Sequence, residues 1–164
     1  MNYFSLFNIK QEFNIDLHLL NQRYIDMLAE YHPDKLNADN TGLRLIDSVL
    51  INAAYTTLKS DILRAEYLLS LYDIHVCHID ASDNSNLEEI WAIWELISTT
   101  NDASILEKLY AERSANKDRL IEKLEKAFLD HHLEEALDLT MKLKYHTNVI
   151  NSIKTQLNYV LCKN

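Results

Sequence analysis

Glycine and proline are almost absent from this sequence, whose 164 residues contain one of each. A protein rich in β-sheet needs these residues for its turns, so the sequence predicts an all-α fold. A single glycine cannot build the glycine-rich loops that hold phosphates or dinucleotides. We therefore expect no nucleotide site in the chain itself and no cofactor.

Cysteine and clustered positive charge are also scarce. Cys77 and Cys162 are the two cysteines; they form neither a disulfide framework nor a Cys-x-x-Cys pair, which is typical of a reducing compartment. The net charge of −9 argues against nucleic acids and anionic membranes as partners. Long apolar runs and a basic leader are missing too, so we expect a cytoplasmic protein that binds neither nucleic acid nor membrane.

The one proline ends a stretch with a strong helical pattern. From Asp16, a good N-cap, to Tyr31, leucines and tyrosines recur at spacings of three and four residues, which predicts a helix of about four turns. Pro33 lacks an N–H and forces the preceding residue out of the helical region, so this helix must end at or before His32. We expect His32 and Asp34 to lie at the tip of a rigid, exposed bend.

Three other apolar segments complete the first half of the chain. A brief helix is predicted over residues 3–7, a long helix follows residue 42, and Ser60 begins a short closing helix that ends near Leu71. Two long helices joined by a short loop should pack as an antiparallel hairpin. The residues expected to face inward on the second long helix are Leu43, Ile46, Leu50, Ala54 and Leu58.

The second half predicts a bundle of three helices after a linker at residues 74–84. Ser85 and Glu88 form a capping box, which starts a helix that runs to about Ser98. Asp102 caps a longer helix whose charged middle, residues 112–119, is expected to be solvated. The last helix begins near Leu133, after a turn at His131 and His132, with inward residues expected at Ala136, Leu139, Leu143, Ile150, Ile153, Leu157 and Leu161.

The first helix of this bundle is apolar around most of its circumference. A helix that covers one side of a bundle needs an apolar stripe a little over 100° wide, and this one has far more. Ile93 and Leu96 are assigned to the core, so the opposite face is available to a partner. The alternative is that a flanking loop buries both sides.

The linker also carries His75, Cys77 and His78, whose side chains could bind a metal. Three donors within four residues cannot easily surround a tetrahedral ion, and no fourth ligand lies at the spacing of a zinc site. We therefore predict no metal site.

Three sequence segments resemble those of a known family. A hairpin with His-Pro-Asp at its tip resembles a J-domain, the module by which co-chaperones engage chaperones of the DnaK type. More narrowly, the chain is similar to HscB, the iron-sulphur cluster co-chaperones, over its whole length. The segments that carry this resemblance are Tyr3-Phe4-Ser5-Leu6-Phe7, Tyr31-His32-Pro33-Asp34-Lys35 and Arg64-Ala65-Glu66-Tyr67-Leu68-Leu69-Ser70-Leu71.

The resemblance implies a J-domain at residues 1–73 and a three-helix domain at residues 85–164 that binds a scaffold protein of the IscU type. The chaperone would be of the HscA type. J-domains typically have a basic face on the helix before His-Pro-Asp, whereas Arg23 here lies among Asp16, Asp26 and Glu30, so electrostatic steering should be weaker. Contacts with the chaperone are expected from His32, Pro33, Asp34, Lys35 and Arg23.

The resemblance also places the scaffold-binding face on the first helix of the bundle, with one aromatic residue of the last helix. Relatives carry acidic side chains at the positions of Trp91, Trp94 and Ser98, so this chain would replace charge by aromatic burial. The expected contact residues are Leu87, Ile90, Trp91, Trp94, Ser98 and Tyr145.

Two alternative functions differ from this expectation. An enzyme using His32 and Asp34 as an acid–base pair is disfavoured, because catalytic pairs lie in concave pockets and a hairpin tip is convex. A general J-domain co-chaperone with a different client differs only in what the second half binds. We expect a co-chaperone that stimulates the ATPase of its chaperone and is not itself an enzyme.

Overall fold

The computed structural model describes residues 2–30, 41–76 and 87–163; the side chains of residues 41–47 and 87–90 are not described. Within these segments every regular element is a helix, which confirms the all-α prediction. The seven helices are α1 (Tyr3–Leu6), α2 (Leu17–Glu30), α3 (Thr41–Lys59), α4 (Asp61–Ser70), α5 (Leu87–Thr99), α6 (Ala103–Leu129) and α7 (Leu133–Lys163).

The chain divides into two compact units, an N-terminal unit of residues 1–75 and a C-terminal unit of residues 76–164. Much of the predicted linker at 74–84, together with Ser85, lies outside the described residues. The described part of the first bundle helix begins at Leu87 and ends at Thr99.

Three helix starts follow from side-chain caps that the sequence predicts. The Asp16 carboxylate accepts hydrogen bonds from the N–H groups of His18 and Leu19 at 2.8 and 3.0 Å. Ser60 Oγ accepts from Leu63 N–H, and Asp102 accepts from Ser104 N–H at 2.9 Å. Each cap satisfies a donor that would otherwise lack a partner in the first helical turn, which fixes where α2, α4 and α6 begin.

The N-terminal unit is a helical hairpin, α2 and α3, closed by the short helices α1 and α4. Aromatic and aliphatic side chains from all four helices and from the loop after α1 fill its core. The buried apolar residues are Phe4, Phe7, Phe13, Leu20, Ile51, Ala54, Leu58, Ala65, Leu68 and Leu69.

The C-terminal unit is built on the long pair α6 and α7, with α5 packed against α7. The turn between α6 and α7 places His131 at a φ of 56°, as expected for a surface turn. Its buried apolar residues are Ile97, Leu106, Leu124, Ala127, Ala136, Leu139, Leu143, Val149, Ile150, Ile153 and Val160.

Two inward assignments were wrong because they followed a spacing of four residues for too long. Leu50 is 44% exposed while Ile51 is buried, and Leu161 is 55% exposed while Val160 is buried. A helix turns about 100° per residue, so each step of four residues rotates about 40° away from the starting face. The buried sets alternate steps of three and four, which keeps them on one face.

Candidate partner-binding surfaces

Of the residues expected to contact a chaperone, the structure places Arg23. It lies exposed in α2, where Asp26 and Glu30 are also exposed. The predicted acidic surroundings of Arg23 are therefore present on the helix itself. The other four, His32, Pro33, Asp34 and Lys35, lie outside the described residues, in the ten positions between the end of α2 and the start of α3.

The hairpin helices are joined by a reciprocal contact that we call the tyrosine clasp, formed by Asn21, Tyr24, Asn52 and Tyr55. The Tyr24 and Tyr55 rings stack with centroids 3.9 Å apart and planes 10° from parallel. The Tyr24 hydroxyl donates to Asn52 Oδ1 at 2.8 Å, and the Tyr55 hydroxyl donates to Asn21 Oδ1 at 3.0 Å. This crossing pattern requires α2 and α3 to run antiparallel.

The clasp was not predicted from the sequence, although a signal for it exists. Asn-x-x-Tyr occurs in α2 as Asn21 to Tyr24 and again in α3 as Asn52 to Tyr55. Residues three apart lie on the same helix face. The same polar and aromatic pair repeated on two antiparallel helices indicates a reciprocal contact.

Arg64 belongs to the segment of residues 64–71 that resembles HscB, and its buried side chain has a structural role. Its Nε donates to Phe13 O at 2.6 Å, Nη1 donates to Leu58 O at 2.6 Å, and Nη2 pairs with Asp61 Oδ1 at 2.7 Å. Burial lowers the pKa of this guanidinium, and the Asp61 carboxylate opposes that shift. One side chain thus ties together the loop after α1, the end of α3 and the start of α4.

Two of the segments that resemble HscB, residues 3–7 and residues 64–71, also contact each other directly. The rings of Tyr3 and Tyr67 stack with centroids 4.4 Å apart and planes 15° from parallel, and Tyr3 N–H donates to the Tyr67 hydroxyl oxygen at 2.9 Å. Phe4 lies 5.9 Å from the Tyr67 ring. These two segments therefore hold α1 against α4.

On α5, Trp91 and Ser98 lie on an exposed surface. Trp91 is 73% exposed, which is unusual for the largest apolar side chain. Ser98 is exposed, and its hydroxyl donates to the carbonyl oxygen of Glu95 at 3.0 Å. The side chains of Leu87 and Ile90 are not described.

Trp94 and Tyr145, in contrast, are half-buried and pack against the core. The buried cluster they contact, which we call the α5–α7 cluster, consists of Ile97, Leu106, Val149, Ile153 and Val160. The six residues expected to form one scaffold-binding face are therefore not equally accessible among those described. Trp91 and Ser98 are exposed, whereas Trp94 and Tyr145 pack on the α5–α7 cluster.

The core-facing side of α5 differs from the prediction. Ile93 packs on the α5–α7 cluster as expected, but Leu96 is 41% exposed and the neighbouring Ile97 is 4% exposed. The side of α5 that faces the core therefore includes Ile93, Trp94 and Ile97, and is rotated toward Trp94 relative to the predicted side. A helix that is apolar nearly all round gives no periodic signal for which side is buried.

The charged middle of α6 is only partly solvated. Arg113 is half-buried, and burial together with the Arg113 charge lowers the pKa of His146 on α7. Arg113 Nε and His146 Nδ1 are buried and have no hydrogen-bond partner among the described residues. Polar groups therefore interrupt the apolar packing between α6 and α7.

The described residues contain neither a candidate metal site nor a candidate membrane-spanning helix. Within residues 2–30, 41–76 and 87–163, no group of three or more His, Cys, Asp or Glu side chains could hold a metal ion; Cys77 and His78 lie outside these segments. None of the helices in the same segments combines the length and apolar composition that crossing a membrane requires.

Comparison with known proteins identifies the family. The mouse (Mus musculus) protein described as "Iron-sulfur cluster co-chaperone protein HscB" is 30% identical over 158 residues, covering 93% of this chain and 68% of the relative. The "Co-chaperone protein HscB homolog" of Psychromonas ingrahamii is 33% identical over 168 residues, covering 98% of this chain and 96% of the relative. The chain belongs to the HscB family of co-chaperones. The resemblance seen in the sequence is confirmed.

The HscB assignment agrees with structural and domain comparisons. The "Chaperone HscB from Vibrio cholerae" has a TM-score of 0.84 and 26% identity, and the match covers 98% of this chain and 99% of that chain. A sequence model described as the HSCB C-terminal oligomerisation domain matches residues 82–154. The likeness to HscB proteins therefore extends over both units.

Proposed function

We propose that this HscB-family chain is an adaptor that stimulates ATP hydrolysis by an HscA- or DnaK-type chaperone and delivers an IscU-type scaffold to it. The N-terminal unit would engage the chaperone through His32, Pro33 and Asp34. The C-terminal unit would bind the scaffold. In this way the chain assists the maturation of iron-sulphur proteins.

One observation carries this proposal, namely that the similarity to the mouse iron-sulfur cluster co-chaperone covers 93% of the chain. An adaptor needs both a unit that signals to the chaperone and a unit that holds the client. Holding both on one chain raises the effective concentration of client at the chaperone. A relative that matched only one unit would support one of these roles alone.

The exposed surface of α5 supports the client-binding part of the proposal. Trp91 is 73% exposed, and tryptophan is frequent among the residues that dominate binding energy at interfaces. Ser98 is exposed on the same helix. An uncharged contact of this kind should be less sensitive to salt than the acidic contacts of relatives.

The chain itself is proposed to have no enzymatic activity. The chemistry of ATP hydrolysis would belong to the chaperone, because the single glycine of this sequence cannot form a phosphate-binding loop. The chain alone should therefore release no phosphate from ATP.

The test is the ATPase rate of the purified chaperone with and without this protein and the scaffold. Wild type should stimulate hydrolysis, and Asp34→Asn should abolish stimulation, because it keeps the shape of the side chain and removes its charge. Because the sequence predicts an exposed bend at this position, Asp34→Asn should change the free energy of unfolding by less than about 1 kcal/mol. Circular dichroism and urea unfolding measure that change.

Asp118→Asn is a matched control, because it removes the same charge from an exposed position in α6. It should leave stimulation unchanged. Stimulation retained by Asp34→Asn would contradict the chaperone assignment. If wild type stimulates the chaperone but does not bind the purified scaffold, the chain is a J-domain co-chaperone with a different client.

A further inference from the structure

We propose that the tyrosine clasp positions α2 and α3 for productive binding to the chaperone. The clasp would then set how efficiently the chain stimulates the chaperone, although its four residues, Asn21, Tyr24, Asn52 and Tyr55, do not contact the chaperone themselves. The proposal rests on the ATPase-stimulating function proposed above. It concerns the described parts of α2 and α3, whose ends, Glu30 and Thr41, precede and follow the His-Pro-Asp sequence in the chain.

The clasp fixes the axial position of one helix against the other. Each tyrosine hydroxyl reaches an amide oxygen on the opposite helix, at 2.8 Å in one direction and 3.0 Å in the other. One residue adds about 1.5 Å along a helix, so a slip of a single turn would move each pair by more than 5 Å. Both hydrogen bonds would then be lost together.

The clasp also fixes the distance between the helices at this level. Rings with centroids 3.9 Å apart and planes 10° from parallel are already in contact, so the helices cannot approach more closely there. Buried side chains of the same two helices, such as Leu20 and Ile51, are apolar, and their packing has no directional preference. The clasp therefore supplies directional contacts between the described parts of α2 and α3.

The position of the clasp argues against a purely stabilising role. Both hydrogen bonds involve exposed groups, and Asn21 and Asn52 are exposed residues. Water can replace such bonds, so their net contribution to stability is small. Their directional geometry can still bias the hairpin toward one arrangement, and a protein with a smaller binding-competent fraction binds with a proportionally weaker apparent affinity.

The test measures chaperone ATPase activity against the concentration of this protein for wild type and clasp variants. Tyr55→Phe removes one hydroxyl and keeps the ring, and Tyr55→Leu removes the ring as well. The half-saturating concentration should rise about threefold for Tyr55→Phe and about tenfold for Tyr55→Leu, while the maximal rate stays unchanged. Tyr24→Phe combined with Asn52→Ala should be no worse than either alone, since both remove the same bond.

Tyr3→Leu is the matched control, because it breaks the stacked tyrosine pair between α1 and α4 of the same unit. It should lower the melting temperature as much as Tyr55→Leu and leave the half-saturating concentration at the wild-type value. An equal rise in Tyr3→Leu would attribute the effect to general stability and overturn the proposal.

Three other outcomes would also overturn it. A defect limited to Tyr24 variants, with Tyr55 and Asn52 variants normal, would mean that Tyr24 contacts the chaperone directly. Clasp variants indistinguishable from a stimulating wild type would remove the positioning role and leave the proposed function intact. A wild type that does not stimulate at all would overturn the proposed function, and this inference with it.

Discussion

Both units have an apolar core, but among the described residues the hydrogen bonds between distant parts of the chain are concentrated in the N-terminal unit. In the N-terminal unit, directional bonds join residues far apart in sequence, such as Arg64 to Phe13, Tyr67 to Tyr3 and Tyr24 to Asn52. In the C-terminal unit, apolar packing of α5 and α6 on α7 dominates. The described side-chain hydrogen bonds there are mainly within one turn of a helix, apart from Gln156 to the carbonyl oxygen of Thr100.

This difference bears on the two proposed roles. Directional bonds select one arrangement, which suits a unit that must present a fixed geometry to a chaperone. Apolar contacts have no directional preference, which suits a unit whose binding surface adapts to its client. Arg113 Nε and His146 Nδ1, between α6 and α7, are buried without hydrogen-bond partners among the described residues. Such groups do not help to select one packing arrangement of the C-terminal unit.

The largest expected effect comes from Arg64→Leu. The substitution leaves the carbonyl oxygens of Phe13 and Leu58 without their donors, and both bonds are buried. An unsatisfied buried group costs about 1 to 3 kcal/mol, so the N-terminal unit should lose about 3 kcal/mol or more of stability. Urea unfolding followed by circular dichroism measures the loss.

The same experiment tests the independence of the two units. Trp91 and Trp94 are the two tryptophans and both belong to α5, so fluorescence reports on the C-terminal unit. In Arg64→Leu the fluorescence midpoint should stay at the wild-type value while part of the helical signal is lost earlier. Arg119→Leu, at an exposed position of α6, should change neither by more than about 0.5 kcal/mol. Coincident, equally shifted transitions in Arg64→Leu would show that the units unfold together.

The two tryptophans of α5 should separate stability from binding. Trp94 packs on the α5–α7 cluster, so Trp94→Ala should cost the C-terminal unit about 3 kcal/mol of stability. Trp91 is 73% exposed, so Trp91→Ala should cost less than about 1 kcal/mol. Circular dichroism during urea unfolding is the measurement.

Trp91→Ala should have a larger effect on scaffold affinity than on stability. Trp91→Ala should weaken binding by about 2 kcal/mol through loss of direct contact, measured by calorimetric titration with purified scaffold. Stimulation of the chaperone without scaffold should survive in both variants. Equal stability losses would mean that Trp91 is buried in solution, and unchanged affinity in Trp91→Ala would move the client-binding surface away from α5.

The sequence predicted the fold well where its signals are local. Caps at Asp16, Ser60 and Asp102 and apolar spacing located helix starts, because both depend on residues within one or two turns. The buried side of α5 was wrong at Leu96, since an almost uniformly apolar helix carries no period. The roles of Arg64 and Tyr67 were not predicted either, because their partners Phe13 and Tyr3 are distant in sequence.

For the candidate scaffold-binding residues, too, one part could be predicted from the sequence and another could not. The helical arc opposite Ile93 and Leu96 selected Trp91 and Ser98, which are exposed, and Trp94, which is half-buried; resemblance added Tyr145, which is also half-buried. Resemblance transfers positions from relatives but not the depth of each side chain, which depends on how α5 is rotated against α7. The accessibility of each contact therefore had to come from the structure.

The smallest expected effect concerns pH and the polar groups between α6 and α7. Burial, and then the charge of Arg113, lower the pKa of His146 below its ordinary value of 6.5. The unfolded chain therefore binds a proton at His146 more readily than the folded chain does. The stability associated with neutral His146 is fully present above about pH 6.5 and is lost as the pH falls through the folded pKa.

His146→Gln removes this titration, so the stability of the variant should fall less than that of wild type between about pH 7.5 and pH 5. Urea midpoints from tryptophan fluorescence, taken at intervals across that range, measure the difference in the C-terminal unit. His131→Asn is the matched control, because His131 is exposed in the turn and asparagine tolerates its positive φ; its pH profile should follow that of wild type. Parallel profiles for wild type and His146→Gln would mean that the imidazole is as easily protonated in the folded protein as in the unfolded chain. The buried polar groups between α6 and α7 would then not contribute to the difference between the two units.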